Sequence, residues 1–344
     1  MWFFRRMRAL LGADARARKS SRIGEAGEAD IGVTPDSFDE AAYLTSNPDV
    51  AMAVRRGDWT SGLAHFRARG FQERRLQRHP ASIAQMRRAK LEKLQRFLRN
   101  ELPHRVSNGK PDFLSDELRQ RTGIVDTDAI SANHYDGYIL DLIDEFRDGL
   151  ILDCGAGRRP VYYPNVVNYE IVDYDTTDVI GVGEVLPFKD ETFDAVISIA
   201  VLEHVKDPFA CSREIIRVLK PEGKLICCVP FLQPVHGYPN HYYNMTGQGL
   251  RALFEPSLVI DDHRVIESLL PVWSLTWIVQ KWSDGLRGAA RDEFLSLTMR
   301  DLLAPPAGML GKPWVRELSD DKNFELASAT MLFAHKAGSI RDPD

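Results

Sequence analysis

Apolar and polar positions alternate in two different ways along this chain. From residue 131 onward, short apolar runs stand between longer stretches in which apolar residues recur every three or four positions. The short runs predict strands and the longer stretches predict helices, including one over 131–147 and one over 208–219. The strands predicted in this part are 150–152, 166–171, 178–182, 193–200 and 224–230. Strands and helices in this order indicate a parallel sheet covered by helices on both faces.

Two more predicted strands, 257–266 and 325–335, lie near the end of the chain. Between them, residues 267–323 show helical spacing and contain three tryptophans within ten residues, from Trp273 to Trp282. With these strands the pattern predicts an α/β fold. Its centre is a doubly wound, mostly parallel seven-stranded sheet, and a helical insertion precedes the last strand.

The first third of the chain predicts helices instead. Ser37 followed by acidic residues is a helix-start signal, and Asn47-Pro48-Asp49 is another. A further helix is predicted over 81–102. We therefore divide the chain into a basic N-terminus and linker (1–36), a small, strongly basic helical module (37–110) and a C-terminal domain (111–344) that contains the sheet.

Composition excludes several classes of protein. With 344 residues, 44% hydrophobic and 27% charged, the chain is neither collagen-like, coiled-coil nor wholly disordered. The longest nearly apolar run, 269–279, is far shorter than the roughly 20 residues of a membrane span. The four cysteines show no metal-type spacing, so we expect no metal site and a reduced, cytoplasmic compartment.

Charge is distributed unevenly along the chain. Residues 54–110 carry 15 Lys/Arg against 4 Asp/Glu, whereas residues 111–344 carry 22 against 37. The helix over 81–102 contributes six of the basic side chains: Arg87, Arg88, Lys90, Lys93, Arg96 and Arg99. We interpret them as a solvated face, with an anionic lipid or glycan as the alternative. Nucleic acid is disfavoured as a partner because a single aromatic residue, Phe97, stands between these charges.

The extreme N-terminus has an amphipathic composition. Trp2, Phe3 and Phe4 precede several arginines, so this segment could rest on an anionic membrane surface. A frayed terminus is the simpler interpretation, and the apolar stretches are too short for a signal peptide.

A glycine-rich segment follows the strand predicted over 150–152. It reads LDCGAGRRP over 152–160, and two glycines just past a strand allow a ligand to lie close to the backbone. A tight turn without a ligand remains the alternative. A dinucleotide fingerprint needs a third glycine where Pro160 stands, so binding of NAD is disfavoured.

Further motifs follow this loop in a fixed order. They are Leu186-Pro187-Phe188, the TFDAV segment at 192–196, the VLEHV segment at 201–205 and the RVLKPEG segment at 217–223. With the glycine loop, this series resembles the class I S-adenosylmethionine-dependent methyltransferases, specifically the methyltransferase type 11 group. The resemblance covers about residues 131–265 and implies a Rossmann-like methyltransferase fold with S-adenosyl-L-methionine as the cofactor.

The resemblance also implies which residues bind the cofactor. They are Asp153, Gly155 and Gly157 at the methionine part, Gly183 and Glu184 near the adenine, and Ser198, Ala200 and His204 around the sulfonium. An acid that ends the second strand would hold both ribose hydroxyls, since a carboxylate accepts two hydrogen bonds. Glu170 is the first choice and Asp173 the second. His204 could instead start a helix or serve in packing.

The sequence departs from the family pattern at two places. Only eight residues separate Gly157 from Val166, so the long helix that usually follows the glycine loop must be reduced to a turn. The family commonly places an aspartate against the adenine amino group, where this chain has Val182. A catalytically inactive relative of the family therefore remains an alternative.

Polar residues are dense after the strand predicted over 224–230. His236 and His241 are candidates for a general base, because a histidine side chain titrates near neutral pH. Four other residues could bind a sugar or another polar acceptor: Tyr238, Tyr242, Tyr243 and Asn244. The alternative is a packed loop whose histidines bond to the backbone. The tryptophan-rich insertion could cover the acceptor, form a dimer contact, rest on a membrane or simply pack as an added core.

The function predicted from these observations is methylation of a hydroxyl group. Residues 37–79 resemble a short module of bacterial surface-polysaccharide enzymes and of secreted repeat proteins, and the first association favours a glycan sugar or its lipid-linked precursor as acceptor. A small-molecule or quinone-type methyltransferase is the first alternative, and a glycan- or membrane-binding adaptor with a degenerate fold is the second. An RNA methyltransferase is disfavoured. We expect a cytoplasmic protein, with peripheral contact to the inner membrane as an option.

Overall fold

The computed structural model describes residues 30–78, 80–125, 131, 133–237, 240–255 and 257–332. The chain forms two compact units. The first contains the residues up to 231 together with 237–264, and the second contains 232–236 and the residues from 265 onward. The membrane-facing N-terminus that the sequence suggested lies outside the described residues. The division at 36/37 and 110/111 stays a prediction.

The first unit begins with a small helical group. It contains a two-stranded antiparallel ribbon of β1 (Asp30–Gly32) and β2 (Leu76–Arg78). Between these strands in the sequence come α1 (Glu40–Ser46), α2 (Pro48–Arg55), α3 (Gly62–His65) and a π-helical turn at Phe66–Gly70. The Asp39 side chain caps α1 by accepting from the Ala42 N–H at 2.7 Å. Tyr43 and Phe66 are buried at the centre of this group.

The next segment leads into the sheet. Helix α4 (Pro80–Leu94) continues as a 3₁₀ turn at Gln95–Phe97, and a hairpin of β3 (Arg105–Ser107) and β4 (Lys110–Asp112) follows. Helix α5 (Asp116–Thr122) begins after the Ser115 cap and ends at Gly123, whose φ of 73° is left-handed.

The central sheet has seven strands in the order β3-β4-β7-β6-β5-β8-β9. Its remaining strands are β5 (Ile151–Cys154), β6 (Val166–Glu170), β7 (Val179–Ile180), β8 (Phe193–Ile199) and β9 (Leu219–Cys228). Among the described strands of this sheet, β3 and β4 pair antiparallel and all other neighbours pair parallel. The predicted doubly wound, mostly parallel seven-stranded sheet is therefore confirmed.

Two of the seven strands, β3 and β4, are not among the predicted ones. The hairpin of β3 and β4 forms one edge of the sheet. The described residues of 257–266 form no strand, and Glu325 ends a helix, after which 326–332 are irregular. The prediction of strands at 257–266 and 325–335 is wrong over these residues. Val259 and Val265 are mostly exposed, whereas Leu258 and Ile260 pack partly buried against the core, so the alternation has a buried side although these residues form no strand.

Helices cover both faces of the sheet. On one face, Leu152, Val167 and Val196 pack with Leu94 of α4 and with α7 (Pro208–Val218) and α8 (Gly247–Phe254). On the other face, Ile151 and Val166 pack against α6 (Gly137–Glu145). The connection from β5 to β6 contains no helix, as predicted from its length. Helix α4, which precedes the parallel strands in the sequence, contributes Leu94 to the packing on the first face.

The second unit is helical. Its helices are α9 (Pro271–Asp284), α10 (Gly288–Ser296), α11 (Met299–Leu302), α12 (Pro313–Arg316) and α13 (Asp320–Glu325). Trp282, Phe294 and Trp314 meet at its centre, with ring centroids 5.8–5.9 Å apart. The insertion is thus helical, as predicted, and it has a core of its own. Over the described residues, no helix is long and apolar enough to span a lipid bilayer.

Candidate functional site

The glycine loop follows β5 and has little room for side chains. Gly155 and Gly157 have φ values of 83° and 62°, which L-residues rarely adopt. A Cβ at Gly155 would lie 2.5 Å from a Val201 methyl carbon, and one at Gly157 would lie 2.7 Å from the Ser131 carbonyl oxygen. Both glycines are therefore required by the fold around them.

Glu170, the first-choice ribose acid, lies directly at this loop. Its Oε2 accepts the N–H of Gly157 at 2.7 Å, and its Oε1 accepts the N–H of Ile171 at 2.8 Å. Burial raises the pKa of Glu170, and the backbone N–H groups partly oppose that rise. Each carboxylate oxygen keeps a further lone pair, so the group can still accept from a ligand hydroxyl.

Asp173, the second choice, is occupied elsewhere. Its carboxylate accepts from Lys110 Nζ and, at 2.7 Å, from Asn108 Nδ2, both in or beside the hairpin of β3 and β4. Burial opposes ionisation, but the contacts with Lys110 and Asn108 lower the pKa of Asp173. The structure therefore brings Glu170, rather than Asp173, to the glycine loop.

Asp153 supports the loop from its buried side. Its Oδ2 accepts from Arg159 Nε at 2.7 Å and from the Tyr135 hydroxyl, and the Arg159 guanidinium lies 4.2 Å from the Tyr135 ring centroid. Its Oδ1 is buried and has no hydrogen-bond partner within the described part of the chain. An unmatched acceptor atom here fits a ligand that donates a hydrogen bond.

The region assigned to the adenine is closely packed. A Cβ at Gly183 would lie 2.6 Å from Cys211 Sγ, so only glycine fits. Glu184 accepts from the Lys206 N–H at 3.2 Å, and burial raises the pKa of Glu184. Val182 is buried, and its carbonyl accepts from the Tyr169 hydroxyl at 2.9 Å.

The end of β8 holds a strained residue at the ligand-binding edge. Ser198 is fully buried, whereas Ala200 is exposed and has a φ of 55°. A non-glycine residue in this region costs about 1 kcal/mol or more. The Ala200 N–H donates to the Cys228 carbonyl at 2.9 Å, which holds the strained turn against β9.

Glu203 was not among the predicted site residues, and its environment is unusual. It follows β8 by a few residues, is fully buried, and has no hydrogen-bond partner on either carboxylate oxygen among the described residues. The nearest charged partner is His204, whose Nε2 lies 3.7 Å from Glu203 Oε1. Burial raises the pKa of Glu203 to about 8. The available signal was an acid in the VLEHV segment, directly after a buried strand.

His204 faces the loop that follows β9. Its Nδ1 lies 2.6 Å from the Asn240 carbonyl oxygen, which can only accept, so Nδ1 carries a proton. Burial lowers the pKa of His204, although the Asn240 carbonyl opposes this. The ring centroid lies 5.5 Å from that of His241. Two candidate histidines of the first unit are thus neighbours.

The same loop carries most of the predicted acceptor residues. The N–H groups of Tyr242 and Tyr243 donate to the Glu203 carbonyl at 2.7 and 3.2 Å, and both tyrosine side chains are exposed. His241 Nε2 lies 3.0 Å from Asn244 Oδ1. Tyr238 lies outside the described residues.

His236 belongs to the second unit. Its ring centroid lies 5.0 Å from that of Trp277, and its Nδ1 lies 2.8 Å from the Pro234 carbonyl oxygen. The structure therefore places the reserve base in a different unit from His241.

Basic side chains of the N-terminal part are bound to acids that follow β6. We call Asp173–Asp178 the acidic turn, and we call four cations the cation clamp: Arg78, Arg87, Lys90 and Lys110. Lys90 is buried and lies 2.7 Å from Asp178, and Arg87 lies 3.4 Å from the same carboxylate. The interpretation of the α4 cations as a solvated face, or as a site for an anionic partner, is wrong for Arg87 and Lys90. Their charges are neutralised within the chain.

Comparison with known proteins finds a family match within the sheet region. Residues 154–227 match the family model described as a methyltransferase domain of the type 11 group. The uncharacterized protein YafE of Escherichia coli is 32% identical over 114 residues, which are 29% of this chain and 54% of that protein. A demethylmenaquinone methyltransferase of Streptomyces griseus is 46% identical over 54 residues, 16% of this chain and 23% of that protein.

Solved structures give low overall scores. A SAM-dependent methyltransferase from Thermotoga maritima aligns with a TM-score of 0.25 at 19% identity, covering 32% of this chain and 62% of that one. The assignment therefore rests on the family match and on the observed strand order. The chain spans about half or less of the length of the curated relatives that it matches.

Proposed function

Since residues 154–227 belong to the type 11 group of class I methyltransferase domains, we propose that this protein transfers a methyl group from S-adenosyl-L-methionine. One observation in the structure supports this most strongly. The glycine loop and Glu170 meet at the carboxyl edge of β5 and β6, where doubly wound sheets bind their ligands.

The residues at this edge fit the cofactor. Gly155 and Gly157 allow close approach to the backbone, and Glu170 would accept from the ribose hydroxyls. Asp153 Oδ1 offers an unmatched acceptor for the methionine part. When bound, the cofactor supplies an electrophilic methyl group on its sulfonium. The task left to the protein is to align the acceptor, exclude water and take up a proton.

The acceptor that we propose is a sugar hydroxyl of a bacterial surface polysaccharide or of its lipid-linked precursor. The exposed rings of Tyr242 and Tyr243 beside His241 and Asn244 support this, since a sugar stacks on aromatic rings and bonds to polar side chains. The resemblance of residues 37–79 to a polysaccharide-enzyme module points the same way. In this proposal His241 removes the hydroxyl proton, and His236 is the reserve.

A quinone-type acceptor is the second candidate. The relative from Streptomyces griseus is named a demethylmenaquinone methyltransferase, and that name is the observation in its favour. The alignment covers only 54 residues, so it bears on the cofactor region more than on the acceptor.

The test has two steps. Isothermal titration calorimetry with S-adenosylhomocysteine measures cofactor binding, and absence of binding would contradict the proposed function and favour the adaptor alternative. Transfer of a tritiated methyl group is then measured with a set of methyl glycosides and with a demethylmenaquinol analogue. Labelling of glycosides alone supports the sugar acceptor, and labelling of the quinol alone supports the second candidate.

A further inference from the structure

We infer that the N-terminal part of the first unit, residues 30–112, completes the cofactor site, because its side chains hold the backbone on both sides of that site. The inference rests on the proposed function. It assigns a task to the basic segment that lies outside the family match at 154–227.

The glycine loop needs support from elsewhere in the chain. In most doubly wound sheets a helix starts at this loop and fixes its backbone. Here residues 155–165 contain no helix, so the intrahelical hydrogen bonds that would order the loop are not made. Three loop residues, Arg158, Arg159 and Pro160, instead contact distant parts of the chain.

Arg78 holds the loop from the N-terminal side. It ends β2, is almost fully buried, and donates to the carbonyl oxygen of Arg159 at 3.1 Å and to that of Pro160. A buried guanidinium that donates to two successive carbonyls fixes the path of the backbone between them. The loop carbonyls are thus satisfied by a side chain 81 and 82 positions earlier.

Arg158 connects the loop with two further elements. Its Nε donates to Asp175 in the acidic turn at 2.6 Å, and its Nη2 donates to the Thr45 carbonyl within α1 at 3.1 Å. Arg158 is the residue directly after Gly157, whose N–H binds Glu170. A shift of the Arg158 side chain therefore moves the backbone that Glu170 contacts.

The acidic turn is held in the same way. Lys110 and Asn108 bind Asp173, Lys90 and Arg87 bind Asp178, and the Arg87 guanidinium also donates to the Asp175 carbonyl. This turn directly follows the strand that ends with Glu170. The N-terminal part thus fixes the chain before the site, in the glycine loop, and after it, in the acidic turn.

A loop that is ordered before binding spends none of the binding free energy on ordering. Weakening the partly exposed contacts, those of Arg158 and Asn108, should therefore reduce cofactor affinity more than it reduces the stability of the sheet. This distinguishes a positioning role from a structural one.

The test uses the full chain with Arg158→Gln, which removes both the partly exposed ion pair with Asp175 and the hydrogen bond to the Thr45 carbonyl that joins the glycine loop to the N-terminal part. We expect calorimetry to show S-adenosylhomocysteine binding at least tenfold weaker, while the melting temperature without ligand falls by no more than about 4 °C. Arg158→Lys keeps the charge and should restore part of the affinity. Arg56→Gln is the matched control, because it removes an exposed pair with Asp58 inside the N-terminal part and away from the loop.

An affinity of Arg158→Gln within twofold of the unsubstituted protein would overturn the inference. If this variant does not fold, Asn108→Gly replaces it, since Asn108 is exposed and has a φ of 50° that glycine accepts. We expect this change to weaken binding about threefold, and unchanged affinity would again overturn the inference. Failure of the unsubstituted protein to bind S-adenosylhomocysteine would contradict the proposed function instead.

Discussion

The carboxyl edge of the sheet has two sides that differ in how their acids are satisfied. Beside β5 and β6, Glu170 accepts two backbone N–H groups, and the acidic turn is neutralised by the cation clamp. Beyond β8, Glu203 is fully buried but has no hydrogen-bond partner on its carboxylate among the described residues. The hydrogen bonds of Glu170 and the ion pairs of the acidic turn are formed without a ligand. On the first side one oxygen of Asp153 lacks a hydrogen-bond partner among the described residues, whereas on the second side both oxygens of Glu203 do, which is typical of a functional site.

The largest expected effect comes from breaking the satisfied side. Lys90→Met removes the buried ammonium that lies 2.7 Å from Asp178. The change should lower the free energy of unfolding by about 3–5 kcal/mol, because an uncompensated buried carboxylate is costly. Urea unfolding measures this loss. A loss below about 1 kcal/mol would show that Arg87 alone can compensate Asp178.

Replacing Glu203 on the second side should raise the free energy of unfolding, whereas Lys90→Met lowers it. The pKa of Glu203 is raised from 4.5 to about 8 by burial, so the folded state holds a proton that the unfolded state releases, and stability falls as pH rises between those values. Glu203→Gln removes this dependence and should stabilise the protein at pH 7 by about 3 kcal/mol relative to the original. Urea unfolding at pH 5 and pH 8 compares the two. The same pH slope in both would mean that Glu203 is not the source.

The next prediction sharpens the comparison by separating catalysis from cofactor binding. His241→Ala should lower the rate of methyl transfer at least a hundredfold, since a positioned general base contributes about 10² to 10⁴. Affinity for S-adenosylhomocysteine should stay near its original value. If binding falls together with the rate, His241 supports the loop. If both His241→Ala and His236→Ala remain active, another group takes the proton.

The smallest of the four effects concerns the ribose. Glu170→Ala removes charge-assisted hydrogen bonds worth about 1.5–3 kcal/mol, so cofactor binding should weaken roughly ten- to hundredfold by calorimetry. Asp173→Ala is the comparison variant: it releases Lys110 and Asn108 from the acidic turn, so its loss of affinity should be smaller than that of Glu170→Ala. A larger effect of Asp173→Ala would reverse the choice between the two acids.

Local pattern was enough to predict the inner part of the fold. The strand predicted over 193–200 is β8 (Phe193–Ile199), and the helix predicted over 208–219 is α7 (Pro208–Val218). Both are long and have a clear period. The strand predicted over 178–182 is only Val179–Ile180 in the structure. Asp178 is not part of it, and its side chain forms a buried ion pair with Lys90.

The missed features depend on contacts between distant residues. Lys90 and Asp178 are 88 positions apart, so nothing near either one shows that they pair. The hairpin of β3 and β4 has three residues per strand, too few to show an alternation. Glu203 could be found as an acid in a motif, but only the structure shows that its carboxylate lacks a partner.

The cation clamp is translated before the acidic turn with which it pairs, and this order has a consequence for the growing chain. Residues 54–110, with their large excess of positive charge, leave the ribosome before the acidic turn at 173–178 has been made. Until then the four cations of the clamp lack the carboxylates of the acidic turn, and the net positive charge of the segment attracts nearby polyanions. Domains fold as their chains emerge, at about 5–20 residues per second, so this interval lasts several seconds. Translation speed between residues 110 and 178 therefore sets how long the clamp is open to competing partners.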